Sequence, residues 1–324
     1  MLSQFTYQRP ASLAQAVDAA GRYGTRVLAG GTDLLGCLRD GVFQAERLVS
    51  LNALTALKGI RPRTAGGLRI GALTTLTEVA ENRQILEAYP VLAQAAASVA
   101  SPQLRNQGTL GGNLCQRPRC WYFRGDFHCL RKGGATCFAE AGESQLHAIF
   151  GGSKCYMVHP SDTAAALVAL DARVSIAGAK GTRVIPLRSF FVLPQKSVVK
   201  ENVLVPGEIV TDILLDPAPP GSRSMYLKVR ERGAFDFALA GAAVVLTMAE
   251  GKAQSARVVL SGVAPIPWKS VAAEQAITGK VIDAATIAAA AEAVVKGAVE
   301  LVENGYKIPL VRGIIEETLS ALAV

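Results

Sequence analysis

The chain has 324 residues, 50% hydrophobic but only 6% aromatic, a length and aliphatic composition that suit two or three domains of an α/β enzyme. Its formal charge of +8 admits nucleic acid, an anionic cofactor or an acidic protein as partner. The basic residues are spread along the chain without a Lys/Arg run or a nucleic-acid module signature, which argues against nucleic acid.

In chain order, residues 12–24 (SLAQAVDAAGRYG) combine an N-cap serine, apolar spacings of three to four and a closing glycine, which predicts a short helix. RVLA (26–29) reads as a strand running straight into Gly30-Gly31-Thr32-Asp33. Strands over 48–51 and 68–73, a helix over 77–86 and a small-residue helix over 91–100 lead to a second glycine run at 108–113. Residues 115–160 show little periodicity and read as one long ordered loop, a length that is usually functional inside a compact domain. A helix over 161–170 and a strand over 173–176 follow. Asp216-Pro-Ala-Pro-Pro-Gly221 is the clearest linker. Beyond it MYLKV, AAVVLTM and ARVVLSGV predict three strands, followed by Ala-rich helices over 283–302 and 311–322.

The first glycine run, LAGGTDLL (28–35), lets the backbone approach a ligand and aim successive N–H groups at one anion. A tight turn is the plain alternative. The run is not a G-x-G-x-x-G fingerprint, because the third glycine is missing and no βαβ unit is expected after it. The second run, Gly108-Thr-Leu-Gly-Gly-Asn113, adds a matching element. Two such runs, flanked by hydroxyl and amide groups, suit a pyrophosphate gripped from two sides.

Five of the six cysteines lie between Cys115 and Cys155. The opening MLSQFTYQRP has neither the basic nor the apolar region of a signal peptide, and no apolar run approaches the roughly 18 residues of a membrane span. The expected setting is therefore cytoplasmic, with no membrane, where thiols stay reduced and clustered cysteines read as metal ligands. Four thiolates are what a cubane iron–sulfur cluster needs. Structural zinc, joined by His128 or His147, is the other metal reading. A zinc-stabilised nucleotide-binding scaffold is the corresponding non-redox function. Trp121, Tyr122 and Phe123 would shield a cluster or anchor the loop on the core. Arg117, Arg119, Arg124, Arg131, Lys132 and Lys154 would form a basic rim that steers an acidic ferredoxin, or ordinary solvated charge. No catalytic carboxylate pair, Ser/His/Asp constellation or nucleophilic cysteine motif is present, so electron transfer is the function expected.

AGGTDLL, IGALTTLTEV (70–79), SPQLRNQGTLGGNLC (101–115), HPSD (159–162) and KVRERGAFDFALAGAAVVL (228–246) resemble, in order and over essentially the whole chain, the flavin subunits of the molybdenum hydroxylase (xanthine dehydrogenase) family. The resemblance implies an α+β fold: a two-part FAD-binding domain of the vanillyl-alcohol-oxidase/molybdenum-hydroxylase type (1–55 and 56–215) and a C-terminal α+β domain (216–324) with a three-stranded sheet and a helix bundle. It implies FAD contacts at Ala29, Gly30, Gly31, Thr32, Asp33 and Leu34, and at Ser101, Thr109, Gly111, Gly112 and Asn113. Asp162 would lie on the ribityl or ribose side, and Lys228 near the flavin unless it is a surface lysine. Because Cys115 belongs to a motif shared with members that lack a cluster, the resemblance leaves Cys120, Cys129, Cys137 and Cys155 as ligands of a [4Fe-4S] cluster. Within the family the loop is most similar to that of 4-hydroxybenzoyl-CoA reductase β subunits, and next to flavin subunits of periplasmic-type aldehyde oxidoreductases. The first implies electrons passing from reduced ferredoxin through [4Fe-4S] and FAD to [2Fe-2S] clusters and a molybdenum cofactor on partner subunits, in a dimer of heterotrimers, for reductive dehydroxylation. The alternative is an aldehyde or purine (xanthine) dehydrogenase whose electrons leave through FAD.

Overall fold

The computed structural model describes residues 2–323. Strand β1 (Thr6–Gln8), helix α1 (Leu13–Ala20), strand β2 (Thr25–Leu28), helix α2 (Leu34–Arg39) and strand β3 (Arg47–Ser50) form a small sheet of order β1-β3-β2. Both pairings are parallel, which requires crossovers, and α1 and α2 supply them. The expected helix α1 starts where its Ser12 side chain accepts the Gln15 N–H at 3.3 Å. A βαβ unit does follow the first glycine run, contrary to the sequence reading. With six residues and Gly36 inside it, α2 is too short to display a helical period.

A second, antiparallel sheet of order β4-β5-β8-β6-β7 is built from β4 (Ile60–Pro62), β5 (Leu68–Gly71), β6 (Arg173–Gly178), β7 (Gly181–Pro186) and β8 (Ile209–Leu215). Between β5 and β6 run helices α3 (Leu76–Glu81), α4 (Arg83–Ala88), α5 (Pro90–Ala97), α6 (Pro102–Arg105), α7 (Leu110–Leu114), α8 (Trp121–Arg124) and α9 (Asp162–Ala169). The single helix expected over 77–86 is two. Asn82 is extended, and its side chain accepts the Ile85 N–H at 3.2 Å, which starts a new helix there.

The C-terminal sheet, β9 (Ser222–Val229), β10 (Ala240–Ala249), β11 (Lys252–Ser261) and the two-residue β12 (Trp268–Lys269), has order β12-β11-β10-β9. Helices α10 (Val271–Ile277), α11 (Ala284–Val294) and α12 (Lys307–Ala323) cover one face. The helix expected to reach residue 302 stops eight residues earlier, ahead of Gly297 at φ +83°. Strand β10 is a wall between two cores: Ala243 and Val245 pack with α5 and α9, while Ala242, Val244 and Leu246 pack with α12. Burial on both faces explains why its sequence is continuously apolar rather than alternating. Among the described residues no helix is long and apolar enough to cross a membrane.

Candidate functional site: a glycine-walled cleft beside a four-cysteine loop

The two glycine runs touch each other. A Cβ on Gly30 would stand 1.9 Å from the Gln107 carbonyl oxygen, so only glycine allows the approach, and Gly31 adopts φ +76°. The second run is no loop but the start of α7. The Thr109 hydroxyl accepts the Gly112 N–H at 3.2 Å, and the Gly108 carbonyl accepts the Leu76 N–H at 2.9 Å. At Gly111 an added Cβ would meet the Ala72 Cβ at 2.8 Å, so the glycine makes room for the β5–α3 segment. At Gly112 the only atom within 4 Å of an added Cβ is the Thr109 hydroxyl at 2.9 Å.

These elements open on a cleft of about 1390 Å³, larger than the roughly 300–1,000 Å³ that holds a drug-sized ligand and roomy enough for a dinucleotide. Ala29 to Leu34, Thr109, Gly111, Gly112, Asn113, Asp162 and Lys228 all line it; Ser101, at the start of α6, does not, although Ala100 does. Asn113 is held from behind: its Oδ1 accepts from the Ser161 and Thr163 hydroxyls, the latter at 2.7 Å. Asp162 opens α9 and is locked on both oxygens, by the Lys228 ammonium at 2.7 Å and the Tyr226 hydroxyl at 2.7 Å. The Lys228 side chain is 4% exposed, so it is not a surface lysine. Burial and the neighbouring Asp162 push the Tyr226 hydroxyl well above its ordinary value, which keeps it a donor to that carboxylate.

Asp33 lines the cleft, and its carboxylate accepts the Arg117 N–H at 2.7 Å and the Arg124 guanidinium at 2.7 Å, with Arg119 at 3.0 Å. It fastens the cysteine loop to the cleft. The supposed basic rim dissolves for the same reason. Arg117 (3.0 Å) and Arg131 both pair with buried Glu201, so four of the six basic side chains turn inward. The two carboxylates that draw them in lie outside the loop's own sequence.

All six cysteines are free thiols. Cys115 caps α7 and lines the cleft, and burial, then Glu201, push its thiol up to about 12. Cys120, Cys129, Cys137 and Cys155 act on one another. Cys137 is held down to about 6, chiefly by the hydrogen bond from the Cys155 thiol. Cys120 is pushed up to about 11 by burial, with Cys137 and Cys129 adding to it. The His147 Nε2 stands 3.2 Å from the Cys120 sulfur. Phe123 and Cys129 pack with Cys37 and Val42, so Phe123 anchors the loop on α2, while Trp121 and Tyr122 pack on His147, Phe127 and Phe138 within the loop.

Among the described residues no three His, Cys, Asp or Glu side chains are placed to hold one metal ion, as structural zinc would require. A cubane carries its cysteines on the corners of a larger body. Among the described residues nine buried side-chain polar atoms lack a partner, and seven of them lie between Arg119 and His159: Arg119 Nε, Trp121 Nε1, Arg131 Nε and Nη1, Gln145 Oε1, His147 Nδ1 and His159 Nε2. Each such atom costs about 1–3 kcal/mol if left unpaired. Of these, the Trp121 and Arg131 nitrogens are N–H donors within two residues of Cys120 and Cys129, and an anionic iron–sulfur group would give them a partner.

Residues 3–217 match the FAD binding domain in molybdopterin dehydrogenase, and residues 225–307 match the CO dehydrogenase flavoprotein C-terminal domain. The chain belongs to the FAD-binding subunits of this family. It is 40% identical over 278 residues to the aldehyde oxidoreductase FAD-binding subunit PaoB of Escherichia coli K12, covering 84% of this chain and 86% of that one. It is 28% identical over 293 residues to the putative xanthine dehydrogenase FAD-binding subunit XdhB of the same organism, covering 90% and 85%. The fold superimposes on a chain of carbon monoxide dehydrogenase from Hydrogenophaga pseudoflava with TM-score 0.78 and 26% identity, over 99% of this chain and 98% of that one.

In this flavin subunit two functional features had no signal in the sequence. Glu201 sits in an aperiodic polar stretch, and nothing there marks it as the partner of Arg117 and Arg131 some 84 and 70 residues earlier. The inward turn of those arginines could have been suspected only from their excess over acids in a loop that has a core to cover.

Proposed function

We propose that this chain is the electron-transfer subunit of a molybdenum-dependent dehydrogenase that oxidises aldehydes, carrying FAD in the 1390 Å³ cleft and a [4Fe-4S] cluster on Cys120, Cys129, Cys137 and Cys155. The observation that carries it is the meeting of four mutually interacting thiols and a set of orphaned donors at a loop pinned by Asp33 to the flavin cleft. When bound, FAD exchanges electrons in ones or pairs, and the cluster exchanges them singly. The protein's own residues bind and orient these groups. Gly30 and Gly31 bring backbone N–H groups to the diphosphate, Asn113 and the Lys228–Asp162–Tyr226 lock fix the opposite wall, and Phe123 seats the cysteine loop. Molybdenum and [2Fe-2S] centres would be held by partner subunits, in a dimer of heterotrimers.

Aldehyde oxidation is favoured over the reductive dehydroxylation of 4-hydroxybenzoyl-CoA by the 40% identity to the aldehyde oxidoreductase subunit. The inward-turned arginines also weaken the case for a basic port that steers ferredoxin. The deciding experiment is purification of the assembled complex and measurement of two activities: aldehyde-dependent reduction of an artificial acceptor, and reduction of 4-hydroxybenzoyl-CoA by reduced ferredoxin. The first is expected. Turnover only in the second would refute the aldehyde reading, and a colourless complex without flavin or iron would refute the electron-transfer role itself.

A further inference from the structure

Arg131 is an unusual residue to find inside this loop. It follows Cys129 by two positions, its side chain is 2% exposed, and its Nη2 donates to Glu201, whose side chain is 7% exposed. Glu201 also accepts from Arg117 Nε at 3.0 Å, so the carboxylate is held from two directions and clamps the guanidinium in place. A guanidinium is planar, and fixing one nitrogen fixes the directions of the others. The remaining Nε and Nη1 are buried and have no partner. Among the described residues it is the only side chain with two orphaned nitrogens. The Leu130 N–H donates to the Thr136 carbonyl at 2.9 Å, which brings the turn that carries Cys129 and Arg131 against the segment that carries Cys137.

Its neighbours cannot substitute for it. The Lys132 ammonium turns away to the Gly125 carbonyl at 2.6 Å. Arg119 is 31% exposed, paired with Asp33 and laid over the Phe237 ring. Trp121 offers one neutral N–H. Arg131 alone combines full burial, a fixed positive charge and two free donors beside the thiols.

We infer that Arg131 donates its Nε and Nη1 hydrogens to sulfur of the iron–sulfur cluster and thereby holds the reduction potential of that cluster up. The inference rests on the cluster reading above. Reduction adds one negative charge to a buried anionic group. A fixed cation and N–H donors to sulfur stabilise the reduced form more than the oxidised one. Arginine does not give up its proton in a protein, so the electron arrives without any proton exchanged at this residue. Arg131 is a positioning residue for the potential, not a ligand.

The test is an EPR-monitored redox titration of the assembled complex, with iron, sulfide and flavin measured per chain. Arg131→Met should lower the cluster midpoint by at least a tenfold change in the reduced-to-oxidised ratio, or about 59 mV for one electron, and leave the flavin midpoints in place. Arg131→Lys, which keeps the charge but not the fork, should give a smaller fall in the same direction and serves if the Met variant loses iron. An unchanged midpoint in an iron-replete variant overturns the inference, as does loss of iron in both variants, which would make Arg131 a support of the loop only. Wild-type complex devoid of iron and sulfide would instead remove the cluster reading, and this inference with it.

Discussion

Breaking the Lys228–Asp162 pair tests whether the far wall of the cleft is a rigid lock. The Lys228 and Asp162 side chains are 4% and 5% exposed and 2.7 Å apart. At an effective dielectric of 20 their attraction is about 6 kcal/mol before desolvation, and removing one partner of a buried pair costs about 3–5 kcal/mol because a charge is left uncompensated. The lower end applies to Lys228→Met, since Asp162 keeps the Tyr226 hydroxyl at 2.7 Å, a hydrogen bond to a charge that is worth about 1.5–3 kcal/mol. It also keeps its place in the first turn of α9, where a negative charge is favoured. Asp162→Asn strands an ammonium whose other partner is the Ser98 carbonyl at 3.2 Å, again about 3 kcal/mol. The double variant leaves no buried charge at the pair and should cost about 3–4 kcal/mol, well short of the ~6 kcal/mol sum. Urea unfolding of the four proteins, followed by circular dichroism, gives the cycle, and FAD per chain should fall in both single variants. Effects additive to within about 0.5 kcal/mol would refute the lock.

Gly30→Ala forces a methyl to within 1.9 Å of the Gln107 carbonyl and should lose flavin, whereas Gly313→Ala, inside α12 with nothing within 4 Å of the added carbon, should retain it and gain about 0.5–1 kcal/mol from helix propensity; flavin absorbance and thermal melts separate the two outcomes. Cys137→Ser should lose iron while keeping flavin, and Cys115→Ser should leave iron unchanged, as read by metal analysis of both proteins. Loss of iron on replacing Cys115 would exchange it for one of the four proposed ligands.

Local signals were enough to place much of this molecule. Ser12 announced α1, the glycine pairs announced close backbone approach, and the Asp-Pro-Ala-Pro-Pro-Gly run announced the break before β9, because each of these is a preference of a few neighbouring residues for one backbone conformation. The ordered motifs told which family the chain resembles, and the cysteine count singled out the loop as the candidate metal site. Tertiary structure decided what depends on partners far along the chain. That Arg117, Arg119 and Arg124 would claim the Asp33 carboxylate had no local sign. Nor did the packing of Gly111 against Ala72. Lys228 could have been a surface residue until burial with Asp162 excluded it. Glu201 gave no local hint that it would hold Arg131 inside the loop. Charge and glycine content say what a residue is able to do; burial and the nearest opposite charge decide which of those things it does, and both are properties of the packed chain.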